Sequence, residues 1–97
     1  MATKITLYIG ANNKTHQITK EYEEKIEEIL KKYWENFTLT RSKGCYTGTV
    51  EDSIQAIIVV LQLVFKELDD CIDELKVKLE QKTIGCEITA NVDFKLK

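Results

Sequence analysis

The apolar residues of this chain repeat at two different periods, and the order in which those periods alternate leaves few folds open. Residues 4–9 alternate strictly, with Ile5, Leu7 and Ile9 on one face and Lys4, Thr6 and Tyr8 on the other. That is the pattern of a strand with one buried face. The spacing then lengthens. Tyr22, Ile26, Ile29, Leu30 and Tyr33 form one stripe at helical spacing, as in a helix laid on a core. Thr19 stands before the stripe as an N-cap. Glu21, Glu23 and Glu24 fill the first turn, and Lys31 and Lys32 the last. Both charge placements suit the helix dipole, and the spacing predicts a helix over 19–34.

Strand pattern returns at 37–42, with Phe37 and Leu39 facing in and Thr38 and Thr40 facing out. Gly44 and Gly48 bracket Cys45, Tyr46 and Thr47, which suggests a hairpin with an irregular or bulged connection. Residues 50–80 allow two readings. Ile54, Ile57, Leu61, Val64, Leu68, Cys71 and Leu75 repeat every three or four residues, and Asp52 is a fitting cap for one long helix. Against this, Ile57, Ile58, Val59 and Val60 are a dense β-branched run, which disfavours helix. The preferred division is a buried strand at about 50–61 and a helix at about 63–81, with Val64, Phe65, Leu68, Ile72, Leu75 and Leu79 as its apolar positions. From Ile84 to Leu96 the alternation runs unbroken, with Ile84, Cys86, Ile88, Ala90, Val92, Phe94 and Leu96 on one face.

The element order is β-α-β-β-α-β. It predicts a single α+β domain over 1–97, a ferredoxin-like βαββαβ sandwich in which two helices cover one face of a four-stranded antiparallel sheet. By parity the uncovered face carries Thr6, Tyr8, Thr38, Thr40, Ser53, Gln55, Glu87, Thr89, Asn91 and Asp93, unless the hairpin slips register. Such a face of hydroxyls, amides and carboxylates is either solvated, or pairs with a second subunit, or lines a ligand pocket.

Composition narrows the function classes. A net charge of −2 argues against a nucleic-acid polymer or an anionic membrane as partner. The N-terminal residues show no signal-peptide pattern, and the longest apolar run, Ala56 to Leu61, is too short to span a bilayer, so a cytoplasmic protein is expected. Cys45, Cys71 and Cys86 have no metal-ligand spacing and read as reduced thiols, at least two of them in the core. The single histidine, His16, argues against zinc. No phosphate-loop, dinucleotide or metalloprotease motif occurs, so no cofactor is expected. His16 with Cys45 is the one base–nucleophile pair within reach, and the carboxylates form helix-surface charge runs. A non-enzymatic protein is expected. The absence of proline and the predominance of lysine over arginine suggest an AT-rich genome, as in a low-GC bacterium or its phage.

Two segments offer ligand contacts. The first strand runs through Gly10 into a polar loop holding Asn12, Asn13, Thr15 and His16, just before a helix N-terminus, an arrangement suited to anions. Arg41 is the one arginine among 14 cations, and it lies near Lys43 and Tyr46. A guanidinium fork suits bidentate binding of phosphate or carboxylate, beside a tyrosine that can stack; the alternative is that Arg41 is a surface charge or one half of an ion pair. On this topology the first loop and the hairpin are expected at opposite ends of the sheet. A ligand touching both would then need a neighbouring subunit, and so a homo-oligomer.

The stretch YIGANNKTHQI, a helix, and then KGCYTG followed by Glu51, Asp52 and Ser53 resembles small phage-encoded proteins of the Thoeris anti-defence sponge family. Members of that family oligomerise and sequester cyclic ADP-ribose signals. The resemblance implies a homo-oligomeric binder of an anionic nucleotide-like signal in the host cytoplasm. It places the ligand contacts at Asn12, Asn13, Thr15, His16, Arg41, Lys43 and Tyr46. The chain departs from that picture in having a single arginine for a doubly charged ligand, so subunits must pool residues or lysines must substitute. The alternative is a protein–protein inhibitor or adaptor that uses the acidic helix faces or a sheet edge.

Overall fold

The computed structural model describes residues 2–95, with the backbone alone of Tyr46. Six elements follow in order: β1 (Ala2–Gly10), α1 (Lys20–Tyr33), β2 (Thr38–Tyr46), β3 (Thr49–Val60), α2 (Phe65–Lys78) and β4 (Gly85–Val92). The strands form one sheet in the order β2-β3-β1-β4, and every adjacent pair is antiparallel. This is the expected α+β, ferredoxin-like arrangement. The β-branched run Ile57–Val60 lies in β3, and α2 begins only after it.

Register explains the core. Ile5 pairs with Ile58, Leu7 with Ala56 and Ile9 with Ile54, so six side chains form one apolar plate across the two central strands. All six are fully buried. Ile26, Ile29 and Leu30 of α1, and Leu68, Cys71 and Leu75 of α2, close over the plate, with Trp34 and Leu79 at its margins. Thr19 caps α1 by accepting the Tyr22 amide at 3.2 Å. Burial pushes the Cys71 thiol up to about 11, although the Trp34 indole pulls in the other direction. The helices are joined at the surface by Glu74 of α2. It accepts hydrogen bonds from Lys32 Nζ and, at 2.8 Å, from the Tyr33 hydroxyl. That bond to Glu74, reinforced by burial, raises the Tyr33 phenol to about 12, and the same two partners hold the Glu74 carboxyl below its ordinary range.

Several local features differ from the pattern read in the sequence. The β2–β3 pairing runs without interruption to Tyr46 and Thr49, so the hairpin is neither irregular nor bulged. Thr47 (φ 48°) and Gly48 (φ 82°) make a tight two-residue turn with both angles positive, as a primed hairpin turn requires. β4 does not alternate to Leu96. Thr89 pairs with Lys4 but Val92 pairs with Ala2, so one extra residue is inserted. Asn91, at φ 58°, takes the strained conformation of that bulge, and Val92 is moved to the open face of the sheet. Leu96 lies outside the described residues. β4 is also an edge strand that the helices do not cover. Ile88 is 41% exposed and Cys86 is exposed, leaving Cys71 as the one buried cysteine.

The open face is less polar than parity over 53–55 suggested. Thr6 pairs with Ile57 and Lys4 with Val59, so two half-buried β-branched residues join Ala2 and Val92 there. Thr6 and Ser53 on that face are buried rather than solvated. Val64 and Phe65 of the expected α2 stripe are exposed.

Two predictions test this packing. Leu75→Ala should cost about 2–5 kcal/mol in urea unfolding, while Ile88→Ala should cost clearly less, because Ile88 is 41% exposed and leaves no enclosed cavity. Glu74 binds its proton less tightly folded than unfolded. Its contribution is therefore complete above its ordinary pKa of 4.5 and lost as pH falls through the lower folded value. The stability gap between the wild type and Glu74→Gln should narrow as pH is lowered below about 4.5.

Candidate functional site

β1 and β2 are each antiparallel to β3, so they run parallel to each other and end at the same end of the sheet. The expected separation of their loops is therefore incorrect. Gly10 pairs with Ser53, and His16 Nδ1 lies 3.7 Å from Glu51 Oε1 at the start of β3. One subunit presents both the β1–α1 loop and the hairpin at one end.

The loop is built on Asn12. Its Oδ1 accepts the Lys14 amide at 2.8 Å and the Thr15 amide at 3.2 Å, and its carbonyl accepts the His16 amide at 2.7 Å. An asparagine side chain standing in for backbone in this way is a turn-former. His16 itself sits at φ 57°. The Thr15 hydroxyl accepts the Gln17 amide at 3.3 Å, and Asn13 Nδ2 donates to the Glu80 carbonyl.

Glu80 belongs to the connection between α2 and β4. Its amide bonds to the Val77 carbonyl at 3.4 Å, and the Gln81 amide to the Lys76 carbonyl at 2.9 Å. These are the two bonds of a Schellman C-cap, and the residue at its left-handed position is usually glycine. Here it is a glutamate at φ 55°. One buried hydroxyl joins this turn to β1. Tyr22 donates to the Gly10 carbonyl at 2.7 Å and accepts from Gln81 Nε2 at 3.1 Å. Gln81 Nε2 also donates to the Ala11 carbonyl at 2.8 Å. Burial raises the Tyr22 phenol, so it remains a neutral donor.

Between the loop and the turn is a cavity of about 250 Å³ lined by Asn12, Lys14, Tyr22, Lys25, Lys78, Leu79 and Glu80. Three lysines and one glutamate are among its lining residues. Among the described residues none of these lysines has an ion-pair partner, whereas Lys32, Arg41, Lys66 and Lys95 do. A larger cavity, about 720 Å³, lies at the other end of the sheet. Its lining includes Ala2, Phe37, Ile57, Val59, Leu61 and Phe94, none of which was expected to bind a ligand. Among the described residues no group of His, Cys, Asp or Glu side chains is placed to hold a metal ion, and no helix is long and apolar enough to cross a membrane.

Of the residues expected to contact ligand, Asn12 lines the smaller cavity and Asn13 ties its two walls together. Thr15 and His16 shape the adjoining loop. Arg41 lies on the helix-covered side of β2, where its Nη2 donates to Glu23 Oε2 of α1 at 2.7 Å. Lys43, opposite Asp52 in the register, shares that side. The side chain of Tyr46 lies outside the described residues. The cavity lysines went unpredicted. Lys25 and Lys78 sit in helices where they read as ordinary surface charge, and nothing in local spacing relates positions 14, 25 and 78.

With this geometry the chain is a small ferredoxin-like α+β domain with a polar cavity at one sheet end. No family model matches the chain, and no curated protein sequence does. Its likeness to solved structures is one of fold. A DUF3240 family protein from Shewanella baltica OS155 superposes with a TM-score of 0.66 at 11% identity, over 98% of this chain and 97% of the other. A phage SAM lyase in its apo state superposes with a TM-score of 0.63 at 22% identity, over 90% of this chain and 78% of the other. A de novo designed protein, Foldit4, reaches 0.63 at 13% identity, over 95% of this chain and all of the other. A fold shared by a lyase and a designed chain does not define an activity.

The Tyr22 bridge yields a prediction. Tyr22→Phe removes one donor to Gly10 and one acceptor from Gln81, leaving part-buried groups unpaired, and should cost about 1–3 kcal/mol. Amide exchange over residues 11–17 should speed up more than exchange in β3.

Proposed function

We propose that this chain is a non-enzymatic binding protein that sequesters a small anionic, nucleotide-like ligand, as a homo-oligomer and in a phage anti-defence role. The observation carrying this reading is the cavity beside Asn12, whose lining includes Lys14, Lys25 and Lys78, none of them in a close ion pair among the described residues. Ammonium groups brought together in a polar concavity favour anionic ligands. The loop that holds Asn12 is ordered by its own hydrogen bonds, so little ordering cost remains for a ligand. Lysines here substitute for the arginines that a doubly charged ligand would otherwise call for. Oligomerisation is supported by the open sheet face, where Ile57 and Val59 lie with exposed Phe94 nearby. Similarity in fold to a phage protein agrees with a phage setting.

A second reading follows from what that structure is. If the likeness to the phage SAM lyase extends to ligand, this chain binds S-adenosylmethionine and acts on it. Calorimetry against cyclic and linear nucleotides and S-adenosylmethionine, with mass spectrometry of each mixture, separates the two. Sequestration predicts saturable nucleotide binding, recovery of the nucleotide intact, and about tenfold weaker binding by Asn12→Ala. Consumption of S-adenosylmethionine would replace it with the lyase reading, and binding of nothing in the panel would end both.

A further inference from the structure

Resting on the reading that the loop end binds an anion, we infer that the cavity between the β1–α1 loop and the α2–β4 turn is a phosphate subsite, one that recognises a compact phosphate or pyrophosphate group and leaves the rest of the ligand outside. Size is the first argument. About 250 Å³ falls below the roughly 300–1,000 Å³ usual for pockets that enclose a drug-sized molecule, so a whole nucleotide exceeds the cavity while its charged end does not. Chemistry is the second. Lys14 comes from the loop, Lys25 from α1 and Lys78 from the end of α2, so three separate segments contribute a lysine to one cavity lining. Ammonium groups act as point charges on phosphate and do not require the planar two-oxygen geometry of a guanidinium. The wall has no aromatic surface free for stacking a base, because the hydroxyl of Tyr22 is committed to Gly10 and Gln81 and its ring is buried.

Glu80 is the one carboxylate in the lining. It opposes an anion, as does the negative end of the α2 dipole. Lys78 also feels the Glu74 carboxylate one turn back on α2, but among the lining residues cations outnumber carboxylates three to one, and Glu80 sets how tightly the cavity holds its ligand. Specificity then depends on the number of phosphate charges, with the nucleoside contributing little. Phosphate esters and free pyrophosphate share this chemistry, and the experiment distinguishes them.

The test is calorimetric titration of the whole chain with inorganic pyrophosphate, ADP and adenosine at low and high salt. Pyrophosphate and ADP should bind and compete, adenosine should not bind, and affinity should fall with salt. Lys25→Gln with Lys78→Gln should weaken pyrophosphate at least tenfold, and Glu80→Gln should tighten it. Lys66→Gln, which changes net charge on α2 away from the cavity, should do neither. Circular dichroism checks that each variant folds. If ADP binds while pyrophosphate does not, or if Lys66→Gln weakens binding as much as Lys25→Gln, the phosphate subsite is wrong and the anion-binding reading stands. If nothing binds, both fail.

Discussion

The structure depends on the plate formed by Ile5, Leu7 and Ile9 against Ile54, Ala56 and Ile58. These six side chains of β1 and β3 give both helices a common surface to cover. Burial of apolar area is the dominant favourable term in folding, and in a domain this small it is concentrated in one place. Because the covered face takes nearly all of it, the other face and the edges are relieved of core duty. That is why Thr6, Tyr8, Thr38 and Thr40 are tolerated on the open face, and why β4 holds its place with little side-chain burial of its own.

A single hydroxyl carries the order of the core to the end of the sheet that holds the smaller cavity. Tyr22 is anchored by its ring within the core cluster while its oxygen reaches the end of β1 and, through Gln81, the turn after α2. The loop and the turn are thereby set against each other, and Asn13 bonding to the Glu80 carbonyl closes the contact. A glutamate in the left-handed position of a helix C-cap is strained by of order 1 kcal/mol relative to glycine. Such strain persists where its surroundings impose it, and here it holds Glu80 in the cavity lining with its carbonyl against Asn13.

Much of the fold was legible in the sequence because periodicity reports on burial. Helix α1 was readable from its stripe, its Thr19 cap and its terminal charges, and β1 from three alternating aliphatics. Periodicity states which face a residue occupies, but not whether anything covers that face. Ile88 and Cys86 alternate as core residues do, yet they sit on an uncovered edge. The bulge at Asn91 was hidden for a related reason, since one inserted residue reverses parity without altering composition. The site was less legible. Asn12 stands out through its turn chemistry, but Lys25 and Lys78 come together only when two helices are laid side by side. Arg41, singled out by its rarity, is the partner of Glu23. The relative position of the loop and the hairpin follows from strand direction alone, because β1 and β2, each antiparallel to β3, end at the same end of the sheet.

The bare edge at β4 has a thermodynamic consequence. A strand that pairs with one neighbour and buries little side-chain area detaches at a lower free energy than the sheet it joins. The turn at Glu80, which leads from α2 into that edge strand, is also a wall of the cavity and is tied to the β1–α1 loop by the Asn13 side chain, so loosening of the edge would be felt at the cavity before it reached the core.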